Sequence, residues 1–199
     1  MGRIRRPFPN ALRYRVIASG IQHGRILFSV LLCVLSCPTL VNPVYSGTTI
    51  DVYYGPEDLP LDRLIRLYGH AKRYIYVSVY GLTSPSMVKA LVDAKKRGLD
   101  VRIITDGGKI EDTKQKAALS TLRLAGVPIK ISHHDGLMHL KQVVIDDEIN
   151  TTGSMNHTTS GNRYNDERLD VITDVHLTAR AREKFLSMWN DSVRYEDWK

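Results

Sequence analysis

Between residues 139 and 156 the chain sets His139, Lys141, Asp146, Gly153, Ser154 and Asn156 among apolar, strand-like residues. Together these side chains suit nucleophilic displacement at a phosphodiester. The substrate is an anion, so an attacking group reaches phosphorus only where fixed positive charge and hydrogen-bond donors hold the non-bridging oxygens and take up charge in the transition state. Lys141 and Asn156 supply both. An imidazole is nucleophilic near neutral pH, and a second one can protonate the leaving oxygen. His139 is the histidine placed to do this. Each residue also has a plain use, lysine on a strand edge and serine or asparagine in loops and caps; the combination at fixed spacing carries the chemistry.

The elements around these residues must bring them together. Lys141 to Ile145 is rich in β-branched residues and predicts a strand, and residues two apart on a strand share a face, which joins His139 to Lys141. Asp146-Asp147-Glu148 predicts a turn, with Ile149 to Thr152 returning antiparallel and ending at Gly153, where small size permits close backbone approach. Ser154 and Asn156 then return toward His139 with the same two-residue spacing. Glu167, just before the apolar stretch Leu169 to Thr173, is expected to accept a hydrogen bond from the second ring nitrogen of His139 and so fix its tautomer.

The pattern His-x-Lys-x4-Asp-x6-Gly-Ser-x-Asn is that of the HKD signature, and residues 50 to 193 resemble the phospholipase D superfamily, in particular its small Nuc-type bacterial endonucleases. The similarity extends to Tyr76–Tyr80, Ala90–Gly98 and Val101–Asp106, with one departure at His157, where the family often carries an aromatic or other apolar residue. Members with two HKD motifs build one site from both, and this chain holds one. The resemblance therefore implies a homodimer, in which His139 of one subunit attacks phosphorus to give a phosphohistidine and the other His139 protonates the leaving oxygen. A twofold axis delivers two copies of each group to a site lying on it. Lys141, Ser154 and Asn156 would bind the phosphoryl oxygens, without metal or other cofactor. Asp146 is the signature's third letter, yet its place at the turn predicts a structural role. The substrate implied is nucleic acid, cleaved with little sequence preference because phosphates carry no base information. The alternatives are a phospholipase acting on lipid headgroups and a binding dimer without activity.

Charge does not choose among these. The 28 Lys and Arg against 21 Asp and Glu give +7. Six of the arginines fall within residues 1–46, which hold no acid, so 22 basic residues face 21 acidic ones in the remainder. Lys109, Lys114 and Lys116 are candidates to line a substrate groove. The first 46 residues have the character of a secretory leader: arginines, the apolar run Ile26–Cys37, Pro38, then small residues with cleavage expected near Ser46. The run is short for a membrane span. An uncleaved anchor, or a lipoprotein signal acylated at Cys37, is the alternative. The expectation is a periplasmic or secreted protein with no stable membrane insertion after cleavage. Both cysteines lie in this leader, so the domain needs no disulfide.

Residues 47–199 suffice for one domain with a sizeable core. A strand at Ile50–Tyr54 precedes a helical pattern of Leu61, Leu64, Ile65, Tyr68 and Ala71. Tyr74–Tyr80 is strand-like, Ser84-Pro85 predicts the cap and first residue of a helix closed by Arg97-Gly98, and Val101–Thr105 is a strand. A helix around Thr113–Ala125 and a short strand near Pro128–Ile131 precede the His139 hairpin, and a last helix carries Leu177, Ala181, Phe185, Met188 and Trp189 on one face. The fold class is α/β, a mixed β-sheet flanked by helices on both faces. His133, His134 and His139 raise the thought of zinc. No cysteine lies nearby, and Lys141 would repel a cation beside His139.

Overall fold

The computed structural model describes residues 47–199 and the backbone of residues 13–15. The order of elements is β1 (Arg13–Arg15), β2 (Thr49–Gly55), α1 (Pro60–His70), β3 (Tyr74–Val79), α2 (Pro85–Lys96), β4 (Asp100–Thr105), α3 (Thr113–Leu124), β5 (Ile129–Ser132), β6 (Lys141–Ile145), β7 (Ile149–Gly153), α4 (Thr159–Arg163), β8 (Glu167–Thr173), α5 (Val175–Trp189) and β9 (Tyr195–Asp197). The leader-like run 26–37 lies outside the described residues, whereas residues 13–15 pair antiparallel with Thr49–Asp51 at the sheet edge. No helix among the described residues is long and apolar enough to cross a membrane.

The strands form one mixed sheet in the order β1-β2-β8-β7-β6-β3-β4-β5-β9. Strands β3, β4 and β5 run parallel, joined by the crossovers through α2 and α3, while β6, β7 and β8 form an antiparallel meander beside them. The alternation of side chains along each strand builds two cores. Ile75, Val77 and Val79 of β3, with Val143 and Ile145 of β6, face α1, α2 and α3 through Leu64, Leu91 and Leu119. Tyr74, Tyr76 and Val144 face α5 on the other side, where Phe185 stacks on Tyr76 at 4.7 Å. The helices therefore flank both faces, as the alternation of patterns predicts.

Two local expectations need correction. Thr178, not Leu177, joins Ala181, Phe185 and Met188 on the buried face of α5, and Leu177 is turned to solvent. Ser84 does occupy the N-cap of α2, but its hydroxyl pairs with Ser86 at 3.0 Å and makes no cap bond.

Candidate active site

The topology gathers the motif at one end of the sheet. Val79, the last residue of β3, pairs with Lys141, the first of β6; Gly153 closes β7 opposite Leu169; and Glu167 opens β8 opposite Gly55. The pairing with β3 continues past the strand, since the Tyr80 amide donates to the Leu140 carbonyl at 3.1 Å. His139 and Lys141 thus meet on one aromatic surface. The exposed His139 ring stands edge-on to Tyr80 with centroids 4.8 Å apart, and Lys141 Nζ lies 5.4 Å from the same ring.

Lys141 is buried and donates to the His139 carbonyl at 2.9 Å. Burial holds its ammonium below the usual lysine range, opposed by the charge of Glu167. A lysine stripped of water but still near one carboxylate is a strong partner for an incoming phosphoryl oxygen, because its charge is less screened there.

Asn156 leaves the end of β7 and turns its Oδ1 to accept from the Gly81 amide at 3.0 Å. That bond fixes the amide plane and leaves the NH2 as donor. The chain must approach closely to do this: a side chain at Gly153, where φ is 150°, would meet the Arg168 carbonyl at 2.0 Å. His157 is buried and locks the same segment through its backbone, donating to the Gly81 carbonyl at 2.8 Å and accepting from Thr83 and Ser84. Its ring Nδ1 is buried without a partner, and desolvation pushes its pKa down to about 4.

Glu167 takes a different partner from the one expected. Its carboxylate accepts from the Ser154 hydroxyl and, at 3.3 Å, from Asn165 Nδ2, while the His139 ring meets Tyr80. The register explains this. Ser154 donates its amide to the Arg168 carbonyl and so lies beside the start of β8, within reach of Glu167. Asp146 sits at the far end of β6, where φ of 54° and 60° at Asp146 and Asp147 make the turn. Its carboxylate accepts from the amides of Lys72 at 2.6 Å, Arg73 at 2.8 Å and Tyr74 at 3.0 Å, which fastens the entry to β3. Through these bonds it holds the neighbouring strand more than its own turn.

A buried polar frame supports the site that the spacing did not reveal. Asp106, at the end of β4, accepts from Gly108, from Ser132 and from the Met138 amide at 2.7 Å, the residue before His139. Gln115 of α3 accepts from the Leu82 amide at 2.6 Å and donates to Thr105, whose hydroxyl donates to the Tyr80 carbonyl at 3.3 Å. These groups hold the Tyr80–Leu82 floor. The one hint in the sequence was Asp106-Gly107-Gly108, a turn signature directly after a strand. Of the other histidines, His133 is exposed and His134 Nδ1 meets the Asp135 carbonyl at 2.7 Å. Among the described residues no group of three or more His, Cys, Asp or Glu is placed to hold a metal ion.

A cavity of about 410 Å³ lined by Tyr54, Ser154, Glu167 and Arg168 opens beside these groups. A larger one, about 850 Å³, runs between α2 and α3, lined by Val88, Val92, Lys96 and Lys114, and contains none of the motif residues. The smaller one adjoins the site through Ser154 and Glu167.

Comparison with known proteins gives the family and the fold. The profile described as cardiolipin synthase, PLD-like domain matches residues 64–189. A mitochondrial cardiolipin hydrolase of Xenopus tropicalis is 30% identical over 67% of this chain and 63% of its own length, and a phospholipase D of Rickettsia bellii is 32% identical over 59% and 57%. The chain thus spans about six tenths of the length of these curated relatives. Among solved structures, Nuc of Salmonella typhimurium, a phospholipase D family member, superposes with a TM-score of 0.70 at 28% identity, covering 77% of this chain and 99% of that one. NucT of Helicobacter pylori shares the fold, with a TM-score of 0.65 at 21% identity over 72% of this chain and 96% of its own.

Proposed function

Because the chain belongs to the phospholipase D-like family, we propose that it is a phosphodiesterase, and specifically an endonuclease of low sequence preference that works as a homodimer. The observation that carries the reading is the convergence of His139, Lys141 and Asn156 at one sheet end, with the His139 ring exposed there. The match to Nuc over nearly all of that chain's length favours a nuclease.

In the proposed reaction neutral His139 attacks phosphorus, forming an N–P bond as the P–O bond to the leaving group breaks. The imidazolium of the second copy's His139 gives its proton to the departing oxygen. That same imidazole, now neutral, takes a proton from water, whose oxygen attacks phosphorus and releases the first histidine. Lys141 and the Asn156 amide hold the non-bridging oxygens through both steps, where developing charge makes such donors most effective. Ser154 orients Glu167, whose charge acts on Lys141. Leu137 and Leu140, exposed on either side of His139 along the chain, supply the apolar rim that a second copy would cover.

A phospholipase is the second reading, favoured by the cardiolipin hydrolase and phospholipase D relatives. The two separate in one assay. The purified protein in excess EDTA is given supercoiled plasmid, single-stranded DNA, RNA, and vesicles of phosphatidylcholine with cardiolipin. Cleavage of nucleic acid supports the nuclease; lipid hydrolysis with intact plasmid replaces it by the phospholipase. A periplasmic or secreted location belongs to the same proposal and rests on the leader-like sequence of residues 1–46.

A further inference from the structure

Lys109 is a cation beside the site with no carboxylate in ion-pair contact among the described residues. Its Nζ lies 4.9 Å from the centroid of the Tyr80 ring, the same ring that carries Lys141 at 5.4 Å and His139 at 4.8 Å. The two ammonium groups are therefore no more than about 10 Å apart. Like charges brought this close repel, and the π face of Tyr80 offsets only part of that. An anion at each ammonium would relieve the rest. Asp112 senses the charge of Lys109, but its carboxylate is committed to capping α3 through Lys114 and Gln115.

The position of Lys109 is built, not incidental. It sits in the turn Gly107–Lys109 after β4, where its amide donates to the Asp106 carbonyl at 3.2 Å and Gly107 donates to Ser132 Oγ at 3.2 Å. A Cβ at Gly107 would meet the Ser132 carbonyl at 2.0 Å, so only glycine lets the turn lie so close. The Asp106 carboxylate binds this turn through Gly108 and the His139 approach through Met138. One buried carboxylate thus fixes the spacing between Lys109 and His139. Lys114 and Lys116 have no such place: Lys114 lines the cavity between α2 and α3, and Lys116 is exposed on α3.

We propose that Lys109 forms a second phosphate subsite, which holds the phosphodiester next to the scissile one and so selects substrates with consecutive phosphates along a strand. Each strand of a duplex carries one backbone charge per ~3.4 Å of helix axis, so two neighbouring phosphates fit within the reach of Lys109 and Lys141. The proposal rests on the nuclease reading and extends it from chemistry to substrate choice. A dinucleotide with a single phosphodiester cannot fill the subsite; a ten-residue oligonucleotide of the same bases can.

The test compares kcat/KM of the protein and its Lys109→Met and Lys109→Arg variants on these two substrates, across a salt series. Methionine keeps the stem over Tyr80 and removes the charge. The expected result is a loss on the oligonucleotide about tenfold greater than on the dinucleotide, carried by KM, with a salt dependence shallower by about one phosphate contact and recovery in Lys109→Arg. An equal loss on both substrates, or none on the oligonucleotide, would overturn the subsite and leave the nuclease standing. Hydrolysis of lipid vesicles with neither nucleic acid substrate cleaved would overturn both.

Discussion

Replacing Asp146 should cost stability and leave catalysis alone, although this residue is a letter of the signature. It lies five residues along β6 from Lys141, about 16 Å at the usual ~3.3 Å per residue of a strand. Its carboxylate accepts three amide hydrogens, those of Lys72, Arg73 and Tyr74. The first two bonds are exposed and the third half-buried, so solvent screening brings each down to about 1 kcal/mol, below the ~1.5–3 kcal/mol usual for bonds to a charged group. Alanine removes all three and places a residue intolerant of positive φ at 54°, which costs roughly a further 1 kcal/mol. The total is about 4 kcal/mol. Asparagine tolerates the backbone and keeps an oxygen for Arg73 and Tyr74, but turns an NH2 toward the Lys72 amide, for a loss of about 1–2 kcal/mol. At ~2–4 °C per kcal/mol for a domain of this size, Tm should fall by roughly 8–16 °C in Asp146→Ala and by roughly 2–8 °C in Asp146→Asn. Thermal unfolding by circular dichroism gives the shifts, and turnover measured well below both midpoints should stay within about threefold of the parent. A loss of a hundredfold in Asp146→Asn while it is still folded would refute the reasoning and move Asp146 to the reacting end of the sheet.

Three further outcomes follow. Because His139 is exposed, His139→Ala should abolish turnover with a change in unfolding free energy within about 0.5 kcal/mol; retained turnover on plasmid or lipid would remove it from the chemistry. Lys141→Met should lower kcat by about 10²–10³-fold and yet raise Tm. Burial depresses the lysine's pKa, so folding penalises its charged form at neutral pH; the gain in Tm should shrink as pH climbs through that lowered value, and a drop in Tm at pH 7 would count against this account. His157 is neutral and buried in the folded chain down to about pH 4, whereas the unfolded chain takes up the proton near 6.5. Stability should therefore fall as pH drops through this window, by about 3 kcal/mol for the 2.5-unit gap. Urea unfolding of His157→Leu across pH 7 to 4 should lack that part of the decline, and parallel curves for the two proteins would contradict it.

Much of the fold was legible because the local signals and the tertiary structure agree. Leu61, Leu64 and Tyr68 recur at helical spacing and are buried in α1, and the β-branched run 141–145 is the strand it promised to be. The exchange of Leu177 for Thr178 shows where periodicity runs out: both positions lie at helical spacing from Ala181, and apolarity alone picks the wrong one. The short α4 and the edge strands β1 and β9 carry too few residues for a period to show. In the site, sequence spacing foresaw that His139, Lys141 and Asn156 come together but not their hydrogen bonds. Glu167 turned to Ser154 because strand register decides which side chains meet across β7 and β8, and the frame of Asp106, Thr105 and Gln115 joins residues far apart in the chain. Such partners appear only once the sheet order is known.

In the proposed reaction everything turns on His139 as the nucleophile. The most direct test is rapid quenching of the protein with an oligonucleotide labelled at its phosphates, followed by peptide mapping under alkaline conditions that preserve a phosphoramidate. Labelled phosphate is expected on the peptide carrying His139, appearing before product and absent in His139→Ala. Turnover with no covalent label, or label on another residue, would contradict it.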